Sequence, residues 1–186
     1  YTEHRFEEIT FVMIAKEAGF TRSNLYRYFK NKEDIFLKLL GNDILLWGKD
    51  IATTFAEEMP SIPEFSKAWV KLMLQHERML ELYTILYTLL EKNATLEALV
   101  EFKKMITSEL GAGTMVLLKI LPFQRPEQAT VFLYGSMSLA MGIYPLMHLT
   151  PKQLEAVEIA KIEMSQEFVR ETLEQSTLAL LKGMLN

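Results

Sequence analysis

One short run of the chain, Arg22, Ser23, Asn24, Tyr26, Arg27 and Tyr28, carries its most pointed chemistry. An arginine guanidinium matches the two acceptors on the edge of guanine, and an asparagine amide matches adenine. Each good pair contributes about 1–3 kcal/mol of discrimination between bases. Arg22, Ser23 and Asn24 open the segment, and the first turn of a helix lying in a major groove is the part that reaches base edges. Leu25 and Phe29, four residues apart, give the same segment an apolar face to bury. The opposite face, with Arg22, Ser23, Asn24, Arg27 and Tyr28, has hydrogen-bonding groups and little reason to turn inward.

So short a helix needs a scaffold, and residues 9–38, ITFVMIAKEAGFTRSNLYRYFKNKEDIFLK, supply one. Thr10 is placed to cap a first helix whose apolar positions Phe11, Ile14, Ala15 and Ala18 recur at helical spacing. Gly19 accepts the left-handed backbone angle that ends that helix. Phe20 plugs the gap between the two helices, and Thr21 caps the second. Asn31 caps a long third helix with Lys32, Glu33 and Asp34 in its first turn. Lysine opposes the helix dipole there, and a DNA phosphate is one explanation for it. Two short helices joined by a tight turn form a helix-turn-helix, which predicts binding to double-stranded DNA.

The run IAKEAGFTRSNLYRYFKNKEDIF resembles the DNA-binding segment of the TetR family of bacterial repressors. The resemblance implies an all-α homodimer. Residues 1–40 would form the helix-turn-helix DNA-binding domain, and residues 41–186 a helical ligand-binding and dimerisation domain. It further implies that Thr10, Tyr26, Tyr28 and Lys32 hold phosphates, with Thr21, Arg22, Ser23, Asn24 and Arg27 completing the DNA-binding set. In the family a whole helix precedes this motif, whereas only residues 1–5 stand in that place here. The expectation is therefore a chain lacking its true N-terminus and some basic residues with it.

A net charge of −4 argues at first against nucleic acid, but its distribution answers that. Residues 16–38 carry six cations against three anions, a local +3 that leaves −7 on the rest. A basic head on an acidic body suits a modular DNA binder, because affinity follows local phosphate contacts. With 49% hydrophobic residues, 186 residues can bury a sizeable core. The absence of cysteine fits a reducing cytoplasm and leaves no disulfide framework. No run of 18 apolar residues suggests a membrane span.

Helical spacing runs through the rest of the chain. Phe36, Leu40, Ile44, Trp47, Ile51 and Phe55 mark a helix over 32–58, broken by Met59-Pro60-Ser61-Ile62-Pro63, with Ser61 and Glu64 as a capping box for the next. Further helices are expected at 63–75, 77–91, 95–121, 126–147, 151–161 and 164–184. Gly111 and Gly113 suggest a kink, a close crossing or room for a ligand. Asn93-Ala94-Thr95 reads as a helix cap at Thr95 rather than a glycosylation acceptor. Small residues Gly135, Ser136, Ser138, Ala140 and Gly142 among larger apolar ones suit helix 126–147 to close pairing. Val169, Leu173, Leu180 and Met184, with Phe168 beside them, give 164–184 a second stripe. By resemblance these two helices pair with their twofold mates; the alternative is that both stripes face the core of one monomer.

Trp47, Phe55, Trp69, Met73, Tyr83, Leu86, Tyr87, Phe102, Met105 and Tyr134 fall in the segments that line the family's inducer cavity. They would hold an unknown apolar or amphipathic inducer between the fourth and eighth helices, unless they are simply core. Catalysis finds no footing. His4, His76 and His148 are scattered, His76-Glu77 lacks the second histidine of a zinc helix, and no phosphate loop or nucleophile elbow appears. No cofactor, metal or catalytic residue is expected. The rival readings are a helical regulator controlled by a protein partner and, remotely, a helical enzyme.

Overall fold

A computed structural model describes residues 6, 8–56 and 61–185, and every regular element among them is helical. Residues 1–5, the expected break at Met59 and Pro60, and the expected end at 58 of the helix before it lie outside the described residues. The head comprises α1 (Phe11–Glu17) and α2 (Arg22–Tyr28). Thr10 Oγ1 accepts from the Met13 N–H at 3.2 Å, and Thr21 Oγ1 from the Asn24 N–H at 3.2 Å, so each threonine satisfies one orphan donor of its helix. Gly19 takes φ +68 after α1. The N–H groups of Gly19 and Phe20 then reach back to the carbonyls of Lys16 and Ala15, closing the helix end at 3.2 and 2.8 Å.

The third helix, α3 (Lys32–Thr54), runs unbroken from head to body, across the position 40 where the two domains were expected to part. It ends at Phe55 rather than 58. Beyond Ser61 follow α4 (Ile62–Gln75), α5 (Glu77–Thr84), a π-helical turn (Leu86–Leu90), α6 (Glu91–Asn93), α7 (Leu96–Ile120), α8 (Pro126–Ile143), a 3-10 turn (Tyr144–Met147), α9 (Pro151–Ile159) and α10 (Gln166–Leu185). At the start of α4 the Ser61 hydroxyl and N–H both donate to Glu64, holding that carboxyl below its usual range. His76 sits at the α4–α5 junction with Nε2 3.0 Å from Asp50 Oδ2. The single helix expected over 77–91 is interrupted because the Ile85 carbonyl accepts from both Leu89 and Leu90, which widens the turn.

In the body α7 packs between α3 and α8, and α10 between α8 and α4. The centre is aromatic. Trp69 lies 5.4 Å from Trp47, 5.7 Å from Phe65 and 5.4 Å from Phe132, ring centre to ring centre, and Phe55 lies 4.7 Å from Phe65. α3, α4 and α8 thus lock through one cluster, each buried ring contributing about 1.5–3 kcal/mol. Arg78 grips the buried Asp43 with both arms of its fork, at 2.8 and 2.6 Å, tying α5 to α3. Gly113 marks a close crossing, since a Cβ there would stand 3.3 Å from Leu133.

Candidate nucleic-acid interface

On α2, Leu25 is buried and Phe29 half-buried, so this face seats the helix. Arg22, Ser23, Tyr26, Arg27 and Tyr28 are exposed, Tyr28 by 70%, and Asn24 is half-buried. The side chains expected to read bases therefore stand at the N-terminal end of α2, Arg22 and Ser23 open to solvent and Asn24 partly covered. Arg22 is not adrift. Its Nη2 donates to the Tyr26 hydroxyl at 3.3 Å, and its guanidinium lies 5.4 Å from the centre of the Tyr26 ring. The Tyr26 ring in turn packs on Phe11 of α1 at 4.5 Å. Tyr26, expected at a phosphate, thus holds Arg22 against the head. Thr10 and Thr21 spend their side-chain oxygens on caps, which leaves each hydroxyl hydrogen to offer.

Lys32 departs most from expectation. Its Nζ donates to the carbonyls of Phe6 and Ile9 at 2.7 and 2.8 Å and lies 4.2 Å from the centre of the Phe6 ring. The ammonium sits at the first turn of α3 because it closes the backbone that precedes α1, a role no local pattern discloses. Beside it lies a joint that the sequence showed only as separate caps. Asp34, buried in the same turn, accepts from the Lys30 N–H, the Thr95 N–H and the Thr95 hydroxyl at 3.2, 2.8 and 3.0 Å. Its charge rests against the N-terminal ends of both α3 and α7, where two helix dipoles favour an anion. Asn31 caps α3 and also donates through Nδ2 to the Asn93 carbonyl at 2.8 Å. Partners 61 and 62 residues apart leave no trace in local spacing.

The N-terminal family model described as bacterial regulatory proteins, tetR family, matches residues 2–39. A second, described as tetracyclin repressor-like, C-terminal domain, matches residues 42–186. The chain belongs to the TetR family. It is accordingly a DNA-binding transcriptional regulator, and TetR-family proteins are not enzymes. Among curated proteins none matches the chain.

Most of the side chains expected to line the inducer cavity are buried. Trp47, Phe55, Trp69, Met73, Tyr83, Leu86 and Phe102 are buried in the core, and ring contacts of the central cluster join α3, α4 and α8. Burial, with Tyr87, Tyr134 and Glu91 nearby, holds the Tyr83 hydroxyl above the usual tyrosine range. Tyr87 and Tyr134 point outward, 54% and 52% exposed. For Tyr87 the reason is the π-helical turn, which gives the inward side to Leu86 and Leu90. Two indole donors, Trp47 Nε1 and Trp69 Nε1, are buried without an acceptor among the described residues. A cleft of about 650 Å³ lies between α2, α3 and α7. Of the expected ligand residues, Phe102 and Met105 line it.

On the two helices expected to pair, α8 and α10, most of the named stripe residues face the chain's own core. Val169 and Leu173 are buried in the chain's own core, with Leu180 and Met184 packed against it. Gly135 admits Leu180, whose Cδ2 would stand 2.8 Å from a Cβ there, so the small residue serves α8 against α10 within one chain. The outward stripe is a different one: Val131, Tyr134, Ser138 and Gly142 on α8, with Phe168, Thr172, Gln175 and Ala179 on α10. Among the described residues, Pro126–Met147 is long and apolar enough to cross a membrane, as a core helix also is; Ala129, Phe132, Leu133 and Ala140 of that stretch are buried against neighbouring helices.

Proposed function

We propose that this TetR-family chain is a cytoplasmic homodimeric repressor, released from a twofold-symmetric operator by a small apolar or amphipathic inducer. Residues 1–40 act as the DNA-binding domain and residues 41–186 as the ligand-binding and dimerisation domain. The observation that carries the reading is the exposed N-terminal turn of α2, with Arg22 and Ser23 open to solvent and Asn24 at its edge. Arg22 and Asn24 read base edges, and Ser23 and Arg27 flank them. Thr10, Thr21 and Tyr28 meet phosphates and set the register of the rod. Tyr26 positions Arg22, and Lys32 positions the head.

Dimerisation through the outward stripes of α8 and α10 brings two recognition helices to successive major grooves, about 34–36 Å apart. An inducer that binds better to a conformation with another spacing shifts the population away from DNA. Because α3 is continuous and Asp34 ties its first turn to α7, a shift of the body moves the head with it. The buried, acceptor-less indoles of Trp47 and Trp69 favour an inducer that brings a hydrogen-bond acceptor. Selection of bound sites from random duplex DNA tests the reading. A consensus with twofold symmetry is the expected result; recovery of sequences with no shared motif refutes it.

A further inference from the structure

We propose that the cleft between α2, α3 and α7 is a binding site for a small amphipathic cation with a flat or aromatic apolar body. Its volume, about 650 Å³, falls in the range of small-molecule sites, roughly 300–1,000 Å³. Four rings, Phe20, Tyr28, Phe29 and Phe102, face it from both sides, and ring faces attract cations. The charge balance has the same sign. Asp34, Glu97 and Glu101 set three carboxylates against the two ammoniums of Lys30 and Lys38. Asp34 is met by uncharged donors, so its negative charge has no cation beside it among the described residues. Lys38 reaches Glu101 only at 3.9 Å, with both side chains largely in solvent, so it leaves that carboxylate available. Glu97 and Glu101 stand one turn apart on α7, a spacing that lets both face one bound charge.

The site lies where an occupant touches two parts of the molecule at once. Phe20, Tyr28 and Phe29 belong to the head; Phe102, Glu97 and Glu101 belong to α7. An occupant wedged behind α2 therefore sets how that helix is held against the body, beside the Asp34–Thr95 joint. This second step rests on α2 being the recognition helix, whereas binding itself does not. By linkage, whatever factor the cation applies to DNA affinity, DNA applies to the cation.

Calorimetric titration of the full chain with tetraphenylphosphonium tests the site, with tetraphenylborate as an anion of the same shape. Binding of the cation is expected, weakened about tenfold or more by Glu97→Gln with Glu101→Gln and lost in Ala98→Trp, whose ring fills the cleft. The borate should not bind. Both glutamates are exposed, so the double variant tests charge without a folding defect, and matching thermal melts confirm this. No binding of the cation, equal binding of the borate, or binding that survives both sets of substitutions overturns the site. Operator affinity measured on a selected duplex should shift at least about fivefold with saturating cation in the native chain and not in Ala98→Trp. An unchanged affinity overturns the coupling. The titration needs no DNA, so a failed selection refutes the regulator reading and leaves the cleft standing.

Discussion

In the proposed reading Arg22 meets DNA from a held position. The hydroxyl and ring of Tyr26 grip it, and Phe11 backs the ring. Tyr26→Phe keeps the ring and loses one hydrogen bond, so operator affinity should fall only a few fold, about 0.5–1.5 kcal/mol. Tyr26→Ala removes both supports and should relax base preference at the Arg22 position, seen by repeating the site selection with each variant. A preference spectrum unchanged in Tyr26→Ala would remove Tyr26 from the reading machinery. Lys32 gives a contrasting prediction. Its ammonium closes the Phe6 and Ile9 carbonyls, so Lys32→Ala should lower stability by about 1–3 kcal/mol in denaturant unfolding. The salt slope of DNA binding should stay unchanged; a slope smaller by about one would return Lys32 to the phosphate contacts.

Among the elements, two features hold the recognition helix in place: the turn before it and the joint behind it. Gly19 adopts φ +68 in open space, so the cost of a side chain there is purely conformational. Gly19→Ala should destabilise the head by about 1–2 kcal/mol, measured by thermal unfolding. Asp34→Ala strands the Thr95 N–H, the Thr95 hydroxyl and the Lys30 N–H at the meeting of α3 and α7. A loss of about 3 kcal/mol or more is expected, with faster hydrogen exchange at the first turn of α7. Unchanged exchange there would show that the joint does not couple head to body. The π-helical turn is another decision made at this scale, because one shared carbonyl at Ile85 sends Tyr87 to the surface and keeps Leu86 and Leu90 inside.

At the scale of the whole molecule, the proposed dimer needs a face on which two copies can meet. Val131, Tyr134 and Phe168 are about half exposed in the single chain, a substantial apolar area to leave in water. Val131→Glu with Phe168→Glu should shift the mass in light scattering from dimer to monomer and weaken operator binding, while leaving the core of each chain intact. A dimer that persists in that variant places the interface elsewhere. None of the residues of α9 is buried, and its Leu154 and Ile159 are exposed as well.

The head was legible because its logic is local. Caps act within three residues, the glycine angle belongs to one residue, and the division of α2 into a buried and a reading face follows from helical spacing. The helical character of the body and most of its boundaries were legible for the same reason. What Lys32 and Asp34 touch, which stripe of α10 faces inward, and which aromatics are buried depend on residues far apart in the chain. Those were settled only when the helices packed, because apolar periodicity says that a face must be covered and not by what.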